Sequence, residues 1–126
     1  MPKLVPDVPS GVSPLGPYST VTEAAGLVFV SGQVAIDPAT DTRIDGDVRA
    51  QAVRVMENIG GILGDLGLGY DDIVKTTIFL DDMGDFPVVN EVYGAYFTDA
   101  PPARSTIEAG ALPGGFLVEI ELIAAR

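Results

Sequence analysis

A chain of 126 residues, nearly half of them hydrophobic, predicts a single domain over residues 1–126 with enough apolar surface for a modest core. Eighteen acidic residues against seven basic ones give a formal net charge of −11, which opposes docking on nucleic-acid phosphates or on an anionic membrane. With neither cysteine nor histidine in the sequence, disulfides, thiol nucleophiles, Ser-His-Asp triads and His- or Cys-ligated metal sites are excluded.

The first seventeen residues are rich in proline and predict an irregular lead-in. They contain no apolar signal core, and no stretch is long enough to span a bilayer, so a cytoplasmic protein is expected. Two short apolar runs follow, Tyr18 to Ala24 and Leu27 to Gln33, with Gly26 placed for a tight hairpin turn. The next segment, DPATDTRIDGD, predicts a polar loop. It is not a calcium loop, because Arg43 and Ala52 stand where ligands would be needed.

Asp47 is placed to cap a first helix. Val48, Ala52, Val55, Met56, Ile59, Leu63 and Leu66 then recur at helical spacing, and Gly67 supplies the stop. Gly60 and Gly61 cost this helix about 1 kcal/mol each relative to alanine, which fits either close packing on a sheet or a helix that is simply weak there. Ile73 to Leu80 is a β-branched strand. Asp85 is expected to cap a second helix, with Pro87 in its first turn and Phe86, Val89, Tyr93 and Phe97 on its apolar face. Two final strands, Ala103 to Ala109 and Leu117 to Ala125, flank the turn LPGG. The order predicts an α+β fold: one mixed sheet with two helices on one face.

Alternation assigns faces on the strands. In the last strand Val118, Ile120, Leu122 and Ala124 share one side, and Leu117, Glu119, Glu121 and Ile123 the other. In the strand before it, Ser105, Ile107 and Ala109 oppose Arg104, Thr106 and Glu108. The small and apolar sides are expected to carry the helices, which puts Arg104, Glu119 and Glu121 together on the opposite face. That mixture of charge and aliphatics fits either a subunit interface enclosing a cleft or an ordinary solvated face whose ion pairs contribute little.

Six fragments, in this order and spacing, carry a resemblance: GPYS (Gly16 to Ser19), VFVSGQ (Val28 to Gln33), DIVKTTIFLDDMGDF (Asp72 to Phe86), VNEVYGAYF (Val89 to Phe97), PARSTIEAGALP (Pro102 to Pro113) and VEIELIA (Val118 to Ala124). The chain resembles the RidA (YjgF-like) family of reactive enamine/imine deaminases over nearly its whole length. The resemblance implies a chorismate-mutase-like α+β fold and a homotrimer around a barrel-like core, with clefts between subunits. It also implies hydrolysis of 2-imino acids, such as 2-iminopropanoate from 2-aminoacrylate, to a 2-keto acid and ammonia without metal or organic cofactor.

Carried over residue by residue, the resemblance makes Arg104 the anchor of the substrate carboxylate, which a guanidinium can grip with two parallel hydrogen bonds. Glu119 becomes the acid–base group beside the attacking water. Tyr18, Ser31, Gly32, Asn90 and Thr106 become substrate-binding positions. Ser31 is not a serine-hydrolase nucleophile, because no histidine exists to activate it. Thr106 departs from the family, whose members often have cysteine there. The alternative function is a non-catalytic trimer that binds or senses small carboxylates through the same arginine.

Overall fold

The computed structural model describes residues 2–126. The chain runs β1 (Val21–Ala24), β2 (Leu27–Gln33), β3 (Ile36–Asp37), β4 (Thr42–Arg43), α1 (Val48–Asp65), β5 (Ile73–Leu80), α2 (Phe86–Gly94), β6 (Ala103–Glu108) and β7 (Val118–Ala125). Five strands form one sheet in the order β1-β2-β7-β5-β6, and β3 pairs with β4 in a small separate hairpin. Only β5 and β6 run parallel, joined by α2; the other pairs in the large sheet are antiparallel. The mixed sheet with two helices is the α+β arrangement expected.

Local chemistry explains the elements. Ala25 and Gly26 both have positive φ, 54° and 77°, giving the two-residue turn that matches strand twist between β1 and β2. The Asp47 side chain accepts the Ala50 N–H at 2.9 Å and caps α1. At the far end Gly67, at φ 74°, lets the Leu68 N–H reach back to the Leu63 carbonyl at 2.8 Å and its own N–H to the Gly64 carbonyl. The apolar face of α1 and Val89, Val92 and Tyr93 of α2 pack with Val28, Val30, Ile78, Leu80 and the Val118–Ala124 alternation of β7 into one core.

Several expectations change. The polar loop folds in part into the β3–β4 hairpin. The first strand begins at Val21 rather than Tyr18. Gly60 and Gly61 do not serve contact with the sheet. A Cβ on Gly60 would collide with the Tyr70 hydroxyl, which donates to the Met56 carbonyl at 2.7 Å, and one on Gly61 would press on Ser10 at 3.1 Å. Ser10 in turn ties the lead-in to α1 through two hydrogen bonds to the Asp65 carboxylate. Asp85 makes no side-chain cap. Asp82 accepts the Gly84 N–H at 2.8 Å and starts a short 3-10 turn that feeds α2, which ends at Gly94 before Phe97.

The main correction concerns strand faces. β6 lies at the sheet edge in parallel register with β5, Thr76 opposite Arg104 and Ile78 opposite Thr106. Thr76 and Ile78 are buried toward the helices. Arg104 and Thr106 therefore face α2, and Ser105 and Ile107 face away, the reverse of the expectation. Glu119 and Glu121 do lie on the open side, opposite Phe79 and Thr77 of β5. Alternation within one strand leaves its pairing register free, and a shift of one residue exchanges the two sides.

Candidate functional site

Arg104 is positioned by an edge strand and a helix. Its Nη1 donates to Asn90 Oδ1 at 2.8 Å, and its guanidinium lies 5.1 Å from the Tyr93 ring centroid and 5.4 Å from that of Phe86. Tyr93 is held by a 2.8 Å hydrogen bond between its hydroxyl and Thr76 Oγ1 inside the core. Burial pushes its phenol pKa up, with the Thr76 bond and Arg104 pulling the other way, so the platform stays neutral. Among the described residues, Arg43, Arg49 and Arg126 pair with carboxylates, whereas Arg104 has none within salt-bridge distance. The guanidinium keeps donors for an external anion, and the aromatic faces favour its charge.

Beside it, Thr106 Oγ1 is buried without a hydrogen-bond partner among the described residues. The Ala109 N–H donates to the Leu80 carbonyl. By strand alternation Ala103, Ser105 and Ile107 also turn their backbone groups to β5, and Arg104, Thr106 and Glu108 turn theirs to the free edge. The Thr106 carbonyl thus sits at an unpaired edge next to the cation.

Glu119 occupies a different place. It rises from β7, the middle strand, into a cleft of about 300 Å³ that Tyr18, Gly32, Gln33, Val34 and Phe116 help to line. Burial, and secondarily the Glu121 charge, push the pKa of its carboxyl up from the ordinary value. The approach of β2 is what confines it. A bulge between Val30 and Gln33 of β2 sets Ser31 and Gly32 against one position of β7, and a Cβ on Gly32 would collide with the Glu119 carboxylate. The Ser31 hydroxyl is already used: it donates to the Ser19 carbonyl at 2.7 Å, while the Ser31 carbonyl accepts from Gln33 Nε2 at 3.0 Å. Ser31 therefore shapes the loop that carries Tyr18, which is 54% exposed at the cleft.

The sequence-derived residues thus fall into two groups. Arg104, Asn90 and Thr106 meet on the helix side of the sheet edge. Tyr18, Ser31, Gly32 and Glu119 meet around the bulge. Sequence reasoning missed the aromatic platform, because Phe86 and Tyr93 register only as helix-face apolars. It also missed Phe116 and the bulge; the adjacent Ser-Gly inside a strand was the available signal for the latter. No group of three or more Asp or Glu side chains among the described residues is arranged to hold a metal ion, and no helix is long and apolar enough to cross a membrane.

Comparison with known proteins adds an independent line. The profile of the family described as Endoribonuclease L-PSP matches residues 9–126. Protein DfrA of Myxococcus xanthus is 54% identical, covering 87% of this chain and 86% of that protein. A mouse 2-iminobutanoate/2-iminopropanoate deaminase is 41% identical, covering 89% of this chain and 83% of that protein. The crystal structure of RidA from the Antarctic bacterium Psychrobacter sp. PAMC 21119 superposes with a TM-score of 0.92 at 36% identity, covering 98% of this chain and 99% of that one.

Proposed function

The chain belongs to the RidA (YjgF-like) family, and we propose that it hydrolyses reactive 2-imino acids to 2-keto acids and ammonia at a site shared between the subunits of a homotrimer. The observation that carries this reading is the separation of Arg104 and Glu119 onto opposite sides of one sheet. One chain offers a carboxylate-binding cation without its acid–base group, and an acid–base group without its cation. A neighbouring copy supplies the missing half. The open sheet face invites such a neighbour: Leu27, Phe29 and Ile107 are 37–47% exposed there, uncovered by either helix. The barrel-like trimer and the chorismate-mutase-like assembly belong to this proposal.

In the mechanism, Arg104 grips the substrate carboxylate with the donors that Asn90 leaves free. The Thr106 carbonyl, at the strand edge, holds the water. Glu119 takes a proton from that water as its oxygen bonds to C2 of the protonated imine, giving a tetrahedral carbinolamine. The proton then passes to the amino nitrogen. The C2–N bond breaks with its electron pair leaving on ammonia, the hydroxyl proton passes through Glu119 to that ammonia as the C2–O double bond forms, and ammonium departs with the 2-keto acid. A raised pKa makes this carboxylate a stronger base than an ordinary one, which suits it to taking and returning the proton. The chain's own residues account for each step without a metal or organic cofactor. The net charge of −11 and the absence of histidine weigh against RNA as the substrate, despite the family's ribonuclease description. A soluble cytoplasmic setting fits a small metabolite substrate.

The test is pyruvate release from enzymatically generated 2-aminoacrylate, with and without the protein. Binding of pyruvate without accelerated release would identify a carboxylate-binding protein instead. The shared site has its own test. Arg104→Ala and Glu119→Gln chains, each inactive alone, should regain activity when refolded together. Random mixing leaves about one interface in four with both functional halves. Intact mixed trimers without recovered activity would place both residues of the site in one chain.

A further inference from the structure

We infer that the Glu119 cleft is a receptacle for the substrate's side chain, and that the preferred substrates are 2-imino acids with a branched or extended apolar side chain rather than a methyl group. The inference rests on the deaminase reading above and specifies its substrate.

Among the described residues, Glu119 is the only charged group lining the cleft. Its repulsion keeps the substrate carboxylate out, so the carboxylate belongs with Arg104 and the cleft receives an uncharged part of the molecule. Leu15, Val12, Val34, Ile36 and Phe116 surround much of the space beside Glu119. Phe116 is a fixed wall. The Arg43 guanidinium lies 4.1 Å from its ring centroid and donates to the Gly114 carbonyl in the preceding turn. A Cβ on Gly114 would come within 2.8 Å of the ring, so the turn closes directly on it.

A volume of about 300 Å³ corresponds to about ten water molecules at roughly 30 Å³ each. A methyl group fills about one of those places and leaves apolar walls wet. The isobutyl group of 4-methyl-2-iminopentanoate fills about three more and covers more of the apolar wall. Each methylene gained in an apolar pocket is worth at least about fourfold in discrimination.

The experiment generates 2-iminopropanoate and 4-methyl-2-iminopentanoate in situ from alanine and leucine with an amino-acid oxidase, and follows imine loss against a semicarbazide trap. The expected kcat/KM is about tenfold or more higher for the leucine-derived imine. Val34→Phe, which fills the cleft, should cut that ratio at least fivefold. Leu15→Ser, at a position 87% exposed where folding is not at risk, should cut it about threefold. Equal kcat/KM for the two imines, or ratios unmoved in both variants, would overturn the side-chain assignment while leaving the deaminase reading intact. Calorimetry with pyruvate and 4-methyl-2-oxopentanoate separates the failures. Tighter binding of the branched keto acid without turnover of either imine would sink the enzymatic reading and uphold the receptacle. Equal affinities without turnover would sink both.

Discussion

The Arg104 patch and the Glu119 cleft hold opposite charges in opposite ways. Arg104 stands on the edge strand β6, partly exposed over the rings of Tyr93 and Phe86, with one hydrogen bond to Asn90 and, among the described residues, no carboxylate partner. Glu119 stands on the central strand β7, pressed by the bulge of β2 and partly dried by the cleft. An aromatic platform favours the charged state of a cation, whereas partial burial favours the neutral state of an acid. Position in the sheet separates the two settings. An edge leaves donors and backbone carbonyls unpaired, and the centre supplies the partly dry wall that raises a carboxyl's pKa.

Arg104 should be the most sensitive position. Arg104→Ala should abolish pyruvate binding and imine turnover. Arg104→Lys should lose most activity, because an ammonium cannot form the bidentate pair or stack on the rings. Calorimetry and turnover on the same intact assemblies check both, and parent affinity in Arg104→Ala would move the anchor elsewhere. Glu119→Gln should behave differently. It should keep keto-acid binding yet lose about 10²–10⁴-fold in kcat, the usual loss on removing a general acid–base group. Turnover at the parent rate would make Glu119 structural.

These two residues also mark how far the sequence reaches. The apolar alternation of Val118–Ala124 and the helical stripe of α1 named the core, because burial has a period that one strand or helix displays by itself. The same logic misplaced Arg104. Its face depends on the pairing of β6 with β5, a relation between segments 28 residues apart that neither displays alone. Caps divided similarly: Asp47 precedes a regular helix and was legible, while Asp82 acts through an intervening 3-10 turn that shifts the signal from Asp85. The bulge at Ser31 and Gly32 escaped because it is defined by the β7 register. The resemblance named the site residues, but their division between two faces came from the strand pairing.

Smaller changes sharpen the contrast. Gly32→Ala should leave the fold in place, since the group in its way is the movable end of a side chain. The displaced Glu119 carboxylate should lower kcat by about tenfold or more, as a misplaced catalytic group does. Parent-level kcat would mean that the close approach has no functional part. On the Arg104 side, Thr106→Val should retain turnover, because the backbone carbonyl is unchanged. It should also raise Tm by a few degrees, since a buried hydroxyl without a partner costs about 1 kcal/mol or more. A folded variant without activity would show that the hydroxyl itself holds the ligand.

The smallest expected effect tests the electrostatics of the central site. Glu121 lies on the same open side of β7 as Glu119, one alternation away, and its charge is the lesser of two causes that raise the Glu119 pKa. Glu121→Gln removes that repulsion and leaves burial in place. The Glu119 pKa should therefore fall, yet stay above the ordinary carboxylate value. If the ionised carboxylate is the base, kcat/KM rises with pH through this pKa, and the variant's rising limb should move to lower pH. Stability should follow the same sign. A carboxyl whose folded pKa exceeds its unfolded one binds its proton more tightly in the native state. Its contribution is most favourable below the unfolded pKa, and is lost as pH rises through the folded one. Lowering the folded pKa shrinks that loss, so Glu121→Gln should narrow the difference in Tm across this window. Glu121 is exposed, so added salt should weaken its influence and bring the parent profile toward that of the variant. A limb that stays in place, or moves to higher pH, would leave burial alone responsible for the tuning of Glu119.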